Sequence, residues 1–146
     1  SSNSFGFKGD MGGMNDFDVF TGITIGETYL MAAEAAARAG NAAMAMNYLN
    51  TLLIKRFRTG QYKPYMETEA AKAFEIVRQE RRKELVGRGL RWHDLRRWNF
   101  EGVTNVTIER YVNGSYYRLS PTSKNYVFEI PLRVIDLSGI AQNERE

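Results

Sequence analysis

The chain has 146 residues, of which 43% are hydrophobic and 25% charged, with a formal net charge of +3 and no cysteine. One domain with its own apolar core is the expectation. Disulfides and thiolate metal sites are excluded, and so small a charge does not call for a polyanionic partner.

Residues 1–26 are rich in Gly, Asn, Asp and Phe and carry no helical period. They read as an irregular segment leading in from a missing N-terminal part, with one short extended piece at 19–25. Residues 1–10 lack the charged start and apolar stretch of a signal peptide, and no apolar run is long enough to span a bilayer. Asp10, Asn15, Asp16 and Asp18 invite a calcium reading. Asp16, Asp18 and Glu27 stand at the first, third and twelfth places of an EF-hand loop, but Phe20 fills a ligand position and Thr21 stands where the turn needs glycine. No metal site and no cofactor is therefore assigned, and an irregular oxygen-ligand cation site is the alternative left open.

Residues 27–100 read as helical. The stretch 27–39 is nearly all Ala, Leu, Met, Glu and Arg, which are strong helix formers. Gly40 ends it, and Asn41 is placed to cap the next helix. That helix, 42 to about 57, sets Ala45, Leu49, Leu52 and Leu53 on one stripe. So short a link folds the two helices antiparallel. Alanines at close-contact positions, with Tyr29 and Tyr48 nearby, make the pair tetratricopeptide-like. A loop at 59–67 follows, then a long helix at about 68–86 and, past Gly87 and Gly89, a short helix at 90–98. The expected class is mainly α, with a small β-hairpin region near the C-terminus. Residues 103–146 read as β and turn: 107–112 and 115–119 flank Asn113-Gly114, a strong hairpin signal, and 126–130 is a further strand candidate ended by Pro131.

The segment 74–98, FEIVRQERRKELVGRGLRWHDLRRW, carries the most information. Its apolar stripe, Ala70, Ala73, Phe74 and Val77, continues at the same spacing into Glu80, Arg81 and Glu84. A buried ion network is the sharper reading, with Glu80 and Glu84 facing arginines of the next helix (Arg91, Arg96 or Arg97) and Asp94 joining them. A solvated charged face is the alternative. The basic cluster with Trp92 and Trp98 also raises nucleic-acid binding, but Glu75, Glu80, Glu84 and Asp94 are interleaved and cancel much of the field. His93, the only histidine, has no nucleophile motif to serve, and no acid pair is singled out for glycoside hydrolysis. No catalytic residue is assigned.

These residues also carry a resemblance. ETYLMAAEAAARAGN at 27–41 and the A-x-x-x-L-N element at 45–50 are similar to a helix pair of the SusD/RagB family. ERRKEL at 80–85 and GLRWHDLRRW at 89–98 resemble its "E-R-R-x-E-L…G-x-R-W-x-D-L-R-R-W" signature, and FEIP at 128–131 with Gln142-Asn143 resembles its closing "P-I-P…Q-N-P" region. The sequence departs from that pattern at Arg88, where the family has Glu, and at Glu129 and Glu144, each in place of a Pro.

The resemblance covers about 27–143 and implies the C-terminal domain of a longer protein, 27–146 here. It implies a non-catalytic protein on the surface of the outer membrane, tethered by a lipid outside this chain. Such a protein captures a glycan or peptide nutrient for a SusC-like TonB-dependent transporter. The missing N-terminal part would be its intramolecular partner, and no nucleic acid is involved. Glu80, Arg81, Glu84, Arg91, Asp94 and Arg96 then have an architectural role. Ligand contacts, if made in this portion, fall to exposed aromatics: Tyr62 and Tyr65 in the loop, Tyr116 and Tyr117 in the hairpin. The competing reading is that these rings close the core or a contact with the absent part. A tetratricopeptide-like interaction module and a glycan-active hydrolase are the alternative functions.

Overall fold

The computed structural model describes residues 22–146, so the cluster Asp10, Asn15, Asp16 and Asp18 lies outside the described residues. The chain divides into two compact units, the first ending at Arg88 and the second starting at Gly89. Helix 91–100, counted with the helical stretch on sequence grounds, belongs to the second unit with the hairpin.

The first unit holds α1 (Ile25–Arg38), α2 (Ala42–Leu53) and α3 (Ala70–Glu84). Thr24 opens α1 by accepting from the Glu27 amide at 3.1 Å. Gly40, at φ +81°, closes it. The Asn41 amide reaches back to the Ala36 carbonyl and the Gly40 amide to Ala37, the two bonds of a Schellman turn. Asn41 then caps α2 by accepting from the Met44 amide at 3.0 Å. One residue thus ends one helix and starts the next, which fixes the antiparallel pair. Alanines at 33, 36, 37 and 45 are buried in it and let the backbones approach. Leu30 and Leu49 are fully buried between them, and α3 adds Ala73 and Val77 against both helices. Helix α2 stops at Leu53 rather than near 57. The chain leaves it through i to i−3 bonds from Lys55 and Arg56, a tightening that swings Arg56 toward α3.

The second unit runs α4 (Arg91–Phe100), β1 (Ile108–Val112), β2 (Ser115–Leu119), a 3-10 turn at Lys124–Tyr126 and α5 (Leu132–Ser138). The strands pair antiparallel in the register Ile108 with Leu119 through Val112 with Ser115. Asn113 and Gly114 both have positive φ, 49° and 81°, which is the turn that Asn-Gly favours. Trp98, 1% exposed, is the largest fully buried side chain. Asn99, also buried, organises the chain after α4. Its amide donates to the Val106 carbonyl at 3.0 Å and contacts the Tyr126 hydroxyl at 3.3 Å, and its Oδ1 accepts from Thr104 and from the Val106 amide.

Two expectations for the C-terminal stretch need correction. Residues 126–130 do not form a strand. Their backbone groups are bound by side chains of the tail: Gln142 brackets Ile130 at 2.8 and 3.0 Å, Asn143 donates to Phe128, and Arg145 donates to Val127. Side chains take the place of a neighbouring strand. Residues 132–138, expected as turn, are the helix α5, ended by Gly139 at φ +67°. None of its residues is buried, and at seven residues it is too short for a helical period to be told from a turn in the sequence. Both family departures in this region are ion-paired: Glu129 with Arg145 at 3.4 Å and Glu144 with Lys124 at 2.6 Å.

Candidate functional site

The charged stripe of α3 is folded inward. Glu80 and Arg81 are 7% and 6% exposed, and Asp94 of α4 is 5% exposed, so these groups do not form a solvated face. Their partners are not those expected. Glu80 accepts from the Tyr65 hydroxyl at 2.9 Å and pairs with Lys83 one turn on at 2.5 Å. Arg81 faces Glu27 of α1 at 3.8 Å. Glu84 takes both Nε and Nη2 of Arg56, with bonds of 2.6–3.1 Å. Glu80 and Glu84 thus find partners within the first unit: Lys83 on α3 itself, and Tyr65 and Arg56 in the α2–α3 connection. In the second unit Asp94 pairs with Arg97 at 3.1 Å. Arg91 and Arg97 lie over the Trp98 ring at 6.0 and 4.7 Å, and Arg96 is exposed.

Gly26 is part of this arrangement. A Cβ there would sit 2.8 Å from Glu84 Oε1, so the absence of a side chain in the first turn of α1 makes room for the Arg56–Glu84 pair. The Arg56 side chain is 46% exposed, and solvent weakens the pair accordingly. Glu84→Ala is expected to cost about 1 kcal/mol, not the ~3 kcal/mol of a pair with a buried arginine. Urea titration of the two proteins measures the difference.

The four tyrosines singled out as ligand candidates separate into two kinds. Tyr62 and Tyr65 are half-buried scaffold. The Tyr62 hydroxyl donates to Asn50 Oδ1 at 2.6 Å. The same oxygen accepts from the Tyr65 amide, while the Asn50 amide donates to the Tyr65 carbonyl. Asn50 on α2 therefore clamps the loop to the bundle. Burial first, then the hydrogen bond to the Glu80 carboxylate, raises the Tyr65 hydroxyl above its usual value of 10.0. The phenol is favoured in the folded state, so its contribution to stability is complete below pH 10.0 and is lost as pH rises through the higher folded value. In Tyr65→Phe the fall in stability above pH 10.0 is expected to be shallower, as read by urea midpoints across that range.

Tyr116 and Tyr117 are exposed, 71% and 62%. They point to opposite faces of the hairpin. On the Tyr116 face the register places Tyr111 directly opposite, and the ring centroids are 4.7 Å apart at 49°. The neighbouring pair on that face, Glu109 and Arg118, is joined by a 2.8 Å ion pair. Tyr111 was not singled out in the sequence; the pairing implied by Asn-Gly at the turn was the signal that could have found it. Tyr117 instead stands opposite Arg110. Two exposed rings beside charged hydrogen-bonding groups form a surface that can stack on flat apolar faces and bind hydroxyls at their edges.

A concavity of about 890 Å³ in the second unit lies between one face of α4 (His93, Arg96, Arg97 and Phe100) and the turn around Thr122 and Lys124. His93 is exposed in its wall. In the first unit an apolar groove lies along Ile25, Tyr29, Ala32 and Tyr48. Among the described residues there is no group of His, Cys, Asp and Glu that could hold a metal ion, and no helix long and apolar enough to cross a membrane.

This architecture is that of a mainly helical scaffold with a tetratricopeptide-like pair and a small hairpin. The SusD family model matches residues 14–138, and the chain belongs to that family. Among solved structures, a SusD-like protein from Bacteroides fragilis NCTC 9343 is similar, with a TM-score of 0.56 and 25% identity over 81% of this chain. The chain spans 24% of that structure's length. No relative among curated proteins matches.

Proposed function

We propose that this chain is part of a non-catalytic nutrient-capture protein of the outer-membrane surface, tethered by a lipid anchor outside this sequence. It binds a glycan and passes it to a SusC-like TonB-dependent transporter. Membership of the SusD family supports the class, and one observation carries the binding role: the exposed Tyr111–Tyr116 pair beside Glu109 and Arg118. Carbohydrate rings stack on such surfaces, and the flanking charges bind their hydroxyls. Glu80, Arg81, Glu84 and Asp94 are architectural in this reading, because three of them are buried and all are engaged within their own units.

The test is calorimetric titration of neutral oligosaccharides into the chain, with product analysis. Binding without turnover, weakened about tenfold or more in Tyr116→Ala, supports the reading. Turnover would make the protein a glycan-active hydrolase. Affinity unchanged in Tyr111→Ala and Tyr116→Ala would remove the hairpin from the site. The apolar groove of Ile25, Tyr29, Ala32 and Tyr48 favours a second reading, a helical protein-interaction module. Capture of a soluble partner instead of a membrane transporter would favour that module.

A further inference from the structure

We propose that the trough between α4 and the turn at Thr122 and Lys124 is a subsite for an anionic sugar, one bearing a carboxylate or a sulfate. The proposal rests on the capture reading above and names the ligand chemistry that reading leaves open. The four α4 residues in the wall, His93, Arg96, Arg97 and Phe100, are spaced i, i+3, i+4 and i+7, so the helix turns one continuous face toward it. Phe100 is 90% exposed, leaving an apolar ring face open for stacking. The volume of about 890 Å³ is that of a small-molecule site.

No acidic residue lines the trough, whereas three permanent cations do, Arg96, Arg97 and Lys124. Arg97 is matched by Asp94 and Lys124 by Glu144, both outside the wall. Arg96 is exposed and makes no ion pair among the described residues. Its planar fork fits a carboxylate or a sulfate with two parallel hydrogen bonds. Glu144 lies 2.6 Å from Lys124 on a side chain that is 81% exposed. It can yield that lysine to a ligand at little cost, because exposed pairs contribute little. Thr122, exposed in the wall, adds a hydroxyl for the sugar's own hydroxyls. One open ring, one uncompensated guanidinium and a second cation held by a weak pair together select a charged sugar over a neutral one.

The experiment titrates the 146-residue chain with three probes: trigalacturonic acid, its methyl ester, and a sulfated chondroitin tetrasaccharide. Variants are Arg96→Ala and Phe100→Ala, both at exposed positions, with far-ultraviolet circular dichroism to show that the fold is kept. The expected result is that one of the anionic probes binds at least about tenfold more tightly than the neutral ester. Arg96→Ala removes that preference, and Phe100→Ala weakens the charged probe while Tyr116→Ala leaves the preference in place. Equal affinity for acid and ester, or a preference that survives Arg96→Ala, overturns the subsite while Tyr116-dependent glycan binding can still stand. Loss of binding to every saccharide overturns both. Single-stranded DNA binding as tightly as the sugars would overturn it too, since the trough would then be a general anion surface.

Discussion

Trp98→Ala is expected to destabilise the chain by about 4 kcal/mol. Trp98 is 1% exposed and is the largest fully buried residue. Its removal takes the apolar surface of the indole out of the second unit and leaves a cavity that so small a unit cannot collapse around. Two guanidiniums, Arg97 at 4.7 Å and Arg91 at 6.0 Å, lose the ring they lie over. Asn99, the next residue, holds Thr104, Val106 and Tyr126, so the disturbance extends into the connection to the hairpin. Chemical denaturation followed by circular dichroism reads the loss. A decrease below about 1 kcal/mol would mean that the indole is not packed as described.

Glu27→Ala is expected to cost about 3 kcal/mol, although it removes only a short side chain from the first turn of α1. Arg81 is 6% exposed and faces Glu27 at 3.8 Å. Without the carboxylate a guanidinium in a poorly solvated place loses a charge partner. The helix also loses an acidic residue beside its amino end, a smaller term of a few tenths of a kcal/mol. A double mutant separates the two. Glu27→Ala with Arg81→Leu recovers most of the loss if burial of the charge is the cause. If the double mutant is less stable than the single, the cost lies in the helix and not in the ion pair. The contrast with Glu84→Ala is instructive. Both acids face an arginine, but Arg56 is 46% exposed, and burial of the cation sets the size of the effect.

The candidate site was less legible than the scaffold, for a physical reason. Tyr62 and Tyr116 are the same residue type, each in or near a turn, and nothing local distinguishes them. Asn50, twelve residues from Tyr62 in sequence, makes one of them scaffold. The strand pairing of Tyr111 with Tyr116 makes the other half of an exposed pair. The same holds for the acids of α3. Helical periodicity placed Glu80 and Glu84 inward, but periodicity is a property of one helix and does not name a partner on another. Arg56, which holds Glu84, lies in a tight turn that the pattern placed at the end of a longer α2.

What the sequence determined alone are features whose cause is local. Gly40 and Asn41 dictate a helix end and a helix start within two residues, and hence the antiparallel pair. Asn113-Gly114 dictates the turn and therefore the whole register of the hairpin. The family was legible in the residues at 80–98, because that combination of arginines, acids and tryptophans is specific. The tertiary structure alone decided matters that depend on residues brought together over distance. It paired Arg56 with Glu84 across 28 positions. It bound residues 127–130 with side chains of Gln142, Asn143 and Arg145 instead of a strand. It set α4 beside the turn at Lys124 to shape the trough. Hydrogen bonds and ion pairs of that kind obey geometry in space and leave no period in the chain.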